Sequence, residues 1–122
     1  MSSTKPLLLK TRELINAGWG RMYHFSDGKG EPVPPEQATH YCIVGAVALA
    51  CGEEHTAMIG IQPGMTRTLL GVMYEHLSED FQWTELDAES GTRRCFTAFN
   101  DHPDTTKQDV LAVLDKAIEN AY

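Results

Sequence analysis

The sequence predicts a mainly α fold: a compact single domain over residues 1–122, of about four helices around a buried central helix, with at most a small β-ribbon near residues 20–34. Three observations lead there. The run Tyr41-Cys42-Ile43-Val44-Gly45-Ala46-Val47-Ala48-Leu49-Ala50-Cys51-Gly52 is apolar on every helical face, and a helix apolar all round is a buried one. Leucines and isoleucines recur at helical spacing near both ends of the chain. With 42% hydrophobic and 22% charged residues in 122, the chain has ordinary globular composition and can form a core without disulfides or metals.

The elements follow in order. Thr4 is placed to cap a first helix, Pro6 suits its first turn, and Leu7, Leu8, Thr11, Leu14 and Ile15 form its apolar stripe, predicting Leu7–Ala17 with Gly18 as a left-handed stop. Trp19 to Phe25 is aromatic and extended in character. Asp27-Gly28 signals a hairpin turn, and prolines at 32, 34 and 35 end regular structure. The central helix is expected over Thr39–Cys51, capped by Thr39. Its Gly45, unfavourable in a helix interior, implies another element lying against the backbone. Glu53 to Met65 is broken by Gly60, Pro63 and Gly64. Leu69, Leu70, Met73 and Leu77 predict a third helix over Thr66–Leu77. Phe81 to Thr92 reads as an acidic loop and Arg93 to Phe99 as a brief helix. Thr106 with Asp109 offers a capping box for the last helix, Thr106–Asn120.

Charge is unevenly distributed. Residues 1–30 carry five bases and two acids, residues 31–122 five bases and fifteen acids, so a net +3 is followed by −10, summing to the net −7 of the chain. Such a field disfavours nucleic acid, whose binding rests on Lys and Arg neutralising phosphates. Weak binding through the basic first 30 residues, with Trp19, Tyr23 and Phe25 nearby, is the narrow exception. The acidic stretch from Glu75 to Glu89 suits either solubility or a protein partner with a basic surface. Within it, Glu79, Asp80, Phe81, Trp83 and Glu85 combine aromatic anchors with charges that steer encounter, the composition of a binding hot spot. The competing reading tucks Trp83 into the domain as a loop anchor.

Catalytic signatures are sparse. No phosphate-binding glycine loop, zinc-protease helix or nucleophile elbow occurs. The three cysteines lack paired C-x-x-C spacing, so neither a zinc site nor a disulfide framework is expected, and no metal or cofactor. One arrangement is open to chemistry: Cys42 in the first turn of the central helix as nucleophile, one of His24, His40, His55, His76 and His102 as base, with His102 set beside the orienter Asn100 or Asp101, giving a cysteine-dependent hydrolase or acyl transferase. The alternative is that Cys42 is a small core residue and that Asn100 and Asp101 brace the turn into the last helix. The N-terminus has only three successive leucines before a charge, and the uncharged run Gln37–Gly52 is shorter than the ~20 residues that span a bilayer. A cytoplasmic protein without membrane association is expected.

Tyr41-Cys42-Ile43-Val44-Gly45-Ala46 (aromatic-Cys-x-x-Gly-Ala), the later Phe99-Asn100-Asp101 before a Thr-capped helix, and Gly18-Trp19 after the opening helix together resemble an uncharacterised family of small bacterial and phage proteins. Tryptophan is usual there at the positions of Tyr41 and Phe99. The resemblance implies a small intracellular domain carried on mobile elements, where accessory and host-directed proteins are common, and it implies no activity.

Overall fold

The computed structural model describes residues 4–55, 64–82 and 88–121, of which 88–93 are described by their backbone alone. Trp83 and Glu85 therefore lie outside the described residues. Among the described residues the helices are α1 (Lys5–Ala17), α2 (Ile43–Ala50), α3 (Gly64–Tyr74), α4 (Ala88–Asp101) and α5 (Lys107–Glu119). A two-residue ribbon pairs β1 (Phe25–Ser26) with β2 (His40–Tyr41), antiparallel and in the register Phe25 to Tyr41 and Ser26 to His40. The mainly α, single-domain expectation is met.

The central helix is the most buried, and the reason lies in its residues. Ile43 to Ala48 are buried without exception, because a two-turn helix with no polar side chain must be enclosed on all sides. Each of Ile43, Val44 and Val47 removed from water contributes ~1.5–3 kcal/mol. Around them stand Leu8 and Ile15 of α1, Leu69, Leu70 and Met73 of α3, Phe96 and Phe99 of α4, and Leu114 of α5, in one continuous core. α1 packs on both α2 and α5, and Arg12 reaches Asp115 at 2.6 Å to tie the outer faces of α1 and α5.

Several boundaries depart from the sequence reading. α1 begins at Lys5 with Pro6 in its first turn, but Thr4 makes no side-chain cap. Gly18 is extended (φ −172°), not left-handed. A Cβ at Gly18 would lie 2.0 Å from the Thr39 carbonyl oxygen, so close approach of two segments, not a turn, requires the glycine. Thr39 does not cap α2: its N–H goes to the Ser26 carbonyl and the chain runs on as β2. The Asp27-Gly28 turn does close a hairpin, with Asp27 N–H donating to the Glu31 carbonyl and Asp27 Oδ1 accepting from Lys29 and Glu31. The longer pairing of β1, however, is with residues 40–41.

α4 is already helical at Ala88, five residues before the brief helix expected from Arg93. α3 opens at Gly64, and Glu53 caps its first turn, accepting from Thr66 N–H at 2.7 Å and Thr66 Oγ1 at 2.5 Å. α5 carries the expected capping box, with Thr106 and Asp109 reciprocally bonded. No helix among the described residues is long and apolar enough to cross a membrane.

Candidate functional site

Two regions gather the residues that the sequence singled out. The first surrounds the N-terminus of α2. Four N–H groups at a helix start lack intrahelical partners. For α2 they belong to Cys42, Ile43, Val44 and Gly45, and each faces an acceptor of the protein, Ala46 N–H being the first bonded within the helix. Ile43 N–H donates to Asn100 Oδ1 at 3.1 Å. Gly45 N–H donates to Cys42 Sγ at 3.3 Å, and Val44 N–H faces the same sulfur. Ala46 N–H donates to the Cys42 carbonyl, and the Cys42 N–H donates to the His24 carbonyl. Cys42, not Thr39, is thus the cap of α2.

Asn100 is the hub. It is fully buried, and each of its four hydrogen-bonding positions is used. Oδ1 accepts from Trp19 Nε1 at 2.8 Å and from Ile43. Nδ2 donates at 3.0 Å to both the Gly20 carbonyl and Asp101 Oδ1. Asp101 Oδ1 also accepts the Met22 N–H at 2.9 Å. Residues 18–24 are thereby strapped across α2 and the end of α4. Arg21 extends the strap, donating to the Thr105 carbonyl and lying 4.6 Å above the Trp19 ring. Gly45 belongs to the same construction: a Cβ there would sit 2.2 Å from the His24 carbonyl oxygen. This is the close backbone neighbour that a glycine inside a helix implied.

His24 is the imidazole that meets Cys42, its Nδ1 standing 3.3 Å from Sγ. The structure brings Cys42, Asn100 and Asp101 together with His24, one of the five candidate histidines, and puts His102 elsewhere. Cys42 is only 7% exposed, and a small space of about 30 Å³ between Cys42, His24, Phe96, Asn100 and the strap adjoins it. Burial pushes the Cys42 thiol up to about 12, outweighing the N–H groups of Gly45 and Val44 that favour the thiolate, and Asp101 acts in the same direction as burial. Cys51, half-buried beside Glu53, is raised to about 11.

The second region is a cleft of about 950 Å³ between the end of α3, the 3-10 turn Glu79–Phe81, the end of α4 and the start of α5. Glu75, Asp80, Asp104 and Asp109 line it, against one lysine, Lys116, with His76 and His102 between them. Its aromatic wall is built from Phe81, whose ring meets Phe99 edge-on at 5.4 Å and His102 at 5.6 Å. His102 Nδ1 accepts the Asp104 N–H at 3.1 Å, which fixes its ring in the turn before α5. Of the residues expected to meet a partner, Asp80 and Phe81 line this cleft and Glu79 is exposed on the same turn. No cluster of three or more metal-ligating side chains occurs among the described residues.

Neither the curated proteins nor the solved structures contain a match to this chain. A family model matches residues 1–120, nearly the whole length, and the chain belongs to that family of unknown function, DUF6197.

Proposed function

We propose that the protein is a noncatalytic binding or inhibitory module, and that the cleft beside Phe81 receives a basic segment of a protein partner. One observation carries the reading: a cleft of about 950 Å³ whose charged lining is four carboxylates to one lysine, set against an aromatic wall. Carboxylates around a ring steer a cationic segment and discriminate against acidic ones, while the ring supplies contact area. The saturation of the α2 terminus supports the noncatalytic half of the reading. An acyl-transfer site needs N–H donors free to receive a developing oxyanion, and those nearest Cys42 are bonded to Sγ, Asn100 and the His24 carbonyl. The acidic field fits an intracellular accessory protein aimed at a basic surface on another protein.

The decisive measurement is calorimetric titration with Lys- and Arg-rich peptides carrying one apolar residue, alongside a partner captured from the natural source. Phe81→Ala is expected to weaken binding at least tenfold, and Asp80→Lys with Asp104→Lys to slow association chiefly at low salt. Binding indifferent to all three substitutions would refute the cleft as the site.

A second reading is a cysteine-dependent hydrolase or acyl transferase, favoured by the 3.3 Å approach of His24 Nδ1 to Cys42 Sγ. It requires the strap to lift, exposing the thiol and freeing N–H donors. Iodoacetamide labelling of the folded protein separates the two: rapid modification of Cys42 below pH 7 would favour the enzyme, and a thiol inert until denaturation favours the cap.

A further inference from the structure

The turn that leads out of α3 holds His76 in the wall of the acidic cleft. The His76 N–H donates to the Met73 carbonyl at 3.0 Å and the Leu77 N–H to the Tyr74 carbonyl at 3.1 Å. Gln82 Nε2 ties the turn down from the other side, donating to the Tyr74 and Leu77 carbonyls. The backbone of His76 is therefore fixed, and its side chain is only 13% exposed. Yet its Nε2 is buried and makes no hydrogen bond among the described residues. A buried polar atom without a partner is uncommon and calls for a reason. Glu75 Oε1 stands 3.5 Å away, within range of an ion pair that exists only when the ring carries a proton.

The groups that share the cleft with this ring come from every element around it. Glu75 stands on the same turn, Asp80 on the 3-10 turn, Asp104 in the turn before α5, and Asp109 and Lys116 on α5. Burial of the ring opposes a positive charge there, while four carboxylates against one lysine favour it. His102, just beyond the end of α4, is placed differently: its Nδ1 already accepts the Asp104 N–H, a bond it must surrender to gain a proton at that nitrogen. His76 Nε2 has no such bond to lose. Imidazole is the side chain that takes up its charge between about pH 8 and pH 5. We infer, on the reading that the cleft receives a basic segment, that His76 is its acid-sensitive release: protonated His76 pairs with Glu75, and the basic segment leaves. The cleft then sets its four carboxylates against two cations instead of one. By reciprocity, a docked basic segment keeps the proton off His76.

Calorimetric titration of the full chain with an N-acetylated, histidine-free Lys- and Arg-rich peptide, at about pH 8 and about pH 5.5, tests this. Neither the peptide nor ordinary carboxylates, which titrate near pH 4, change charge across that window. Affinity is expected to fall about fivefold or more at the lower pH. His76→Gln keeps a polar side chain without the titration and should bind equally at both, whereas His102→Gln should leave the fall in place. In the unaltered protein, NMR of the His76 ring should show it taking up its proton at lower pH with peptide bound than without, a readout that needs no variant to fold. Absence of binding at about pH 8 would overturn the cleft reading and this inference together. Binding that persists unchanged at about pH 5.5, that falls as far in a folded His76→Gln protein, or that leaves the His76 titration unmoved would keep the cleft as the site and overturn His76 as its release.

Discussion

Phe99 and Asn100 are neighbours on one turn of α4, yet they belong to regions built on opposite rules. Asn100 faces the strap, where all four hydrogen-bonding positions of its amide find protein partners and a sulfur caps the central helix. Phe99 faces the cleft, where carboxylates collect around an aromatic wall. The first region contains the residues that give the sequence its pattern: Trp19, Cys42, Gly45, Asn100 and Asp101. The second is made of side chains with no fixed spacing. A short, distinctive motif is thus better explained here by architecture than by chemistry, because a buried polar hub tolerates few alternatives whereas a solvent-facing cleft tolerates many.

The sharpest way to break this contrast is Asn100→Leu. It strands the Trp19 Nε1–H, the Ile43 N–H and the Gly20 carbonyl in a buried setting, and should cost about 4 kcal/mol, read as a large drop in melting temperature. A stable Asn100→Leu protein would show that the hub is dispensable. Gly45→Ala comes next at about 3 kcal/mol, since the new methyl group must displace the His24 carbonyl backbone. Chemical denaturation with an unchanged midpoint would contradict that close approach.

The alkaline limb of stability offers a subtler comparison. Cys42 has its thiol raised to about 12 in the folded state, against roughly 8.5 when unfolded. Above pH 8.5 the unfolded chain releases this proton first, so stability is fully present below that pH and declines by up to about 1.4 kcal/mol per pH unit as pH rises toward 12. Cys51 contributes in the same direction toward about 11. Cys42→Ala should flatten the limb while lowering stability at neutral pH, where the cap is lost; an unaltered limb would mean that the thiol is not enclosed in solution. Phe81→Ala has the smallest expected effect on the fold, about 1 kcal/mol from its edge-on ring contacts, in contrast to its large effect on binding. A collapse of the fold on this change would erase the distinction between the two regions.

What the sequence disclosed depended on how local each determinant is. The capping box of α5 lies within four residues and was readable as it stands. The burial of α2 followed from composition alone, and Gly45 announced a neighbour without naming it. The cap of α2 was misassigned to Thr39 because its N–H groups are satisfied by a sulfur and by an amide 57 positions away, neither of which has a local signature. For the same reason His24 could not be chosen among five histidines: its place beside Cys42 depends on a strap whose anchor is Asn100. The pairing of β1 with β2 likewise skips over the hairpin that the Asp-Gly turn suggested. In the cleft, Asp80 and Phe81 were recognisable as an acidic-aromatic pair, but the contributions of Asp104, Asp109 and Lys116 required the packing of α5 against α3.

The hub at Asn100 also fixes when the protein can finish folding during its own synthesis. α2 is complete by Ala50, but the side chain that satisfies its first N–H group and anchors Trp19 emerges only at residue 100. At ~5–20 residues per second, translation from residue 50 to residue 100 lasts roughly 2.5–10 seconds. Throughout that interval α2 has its Cys42 cap but lacks the acceptor for Ile43 N–H and the cover of Phe96 and Phe99, so its apolar surface faces water until α4 has been made.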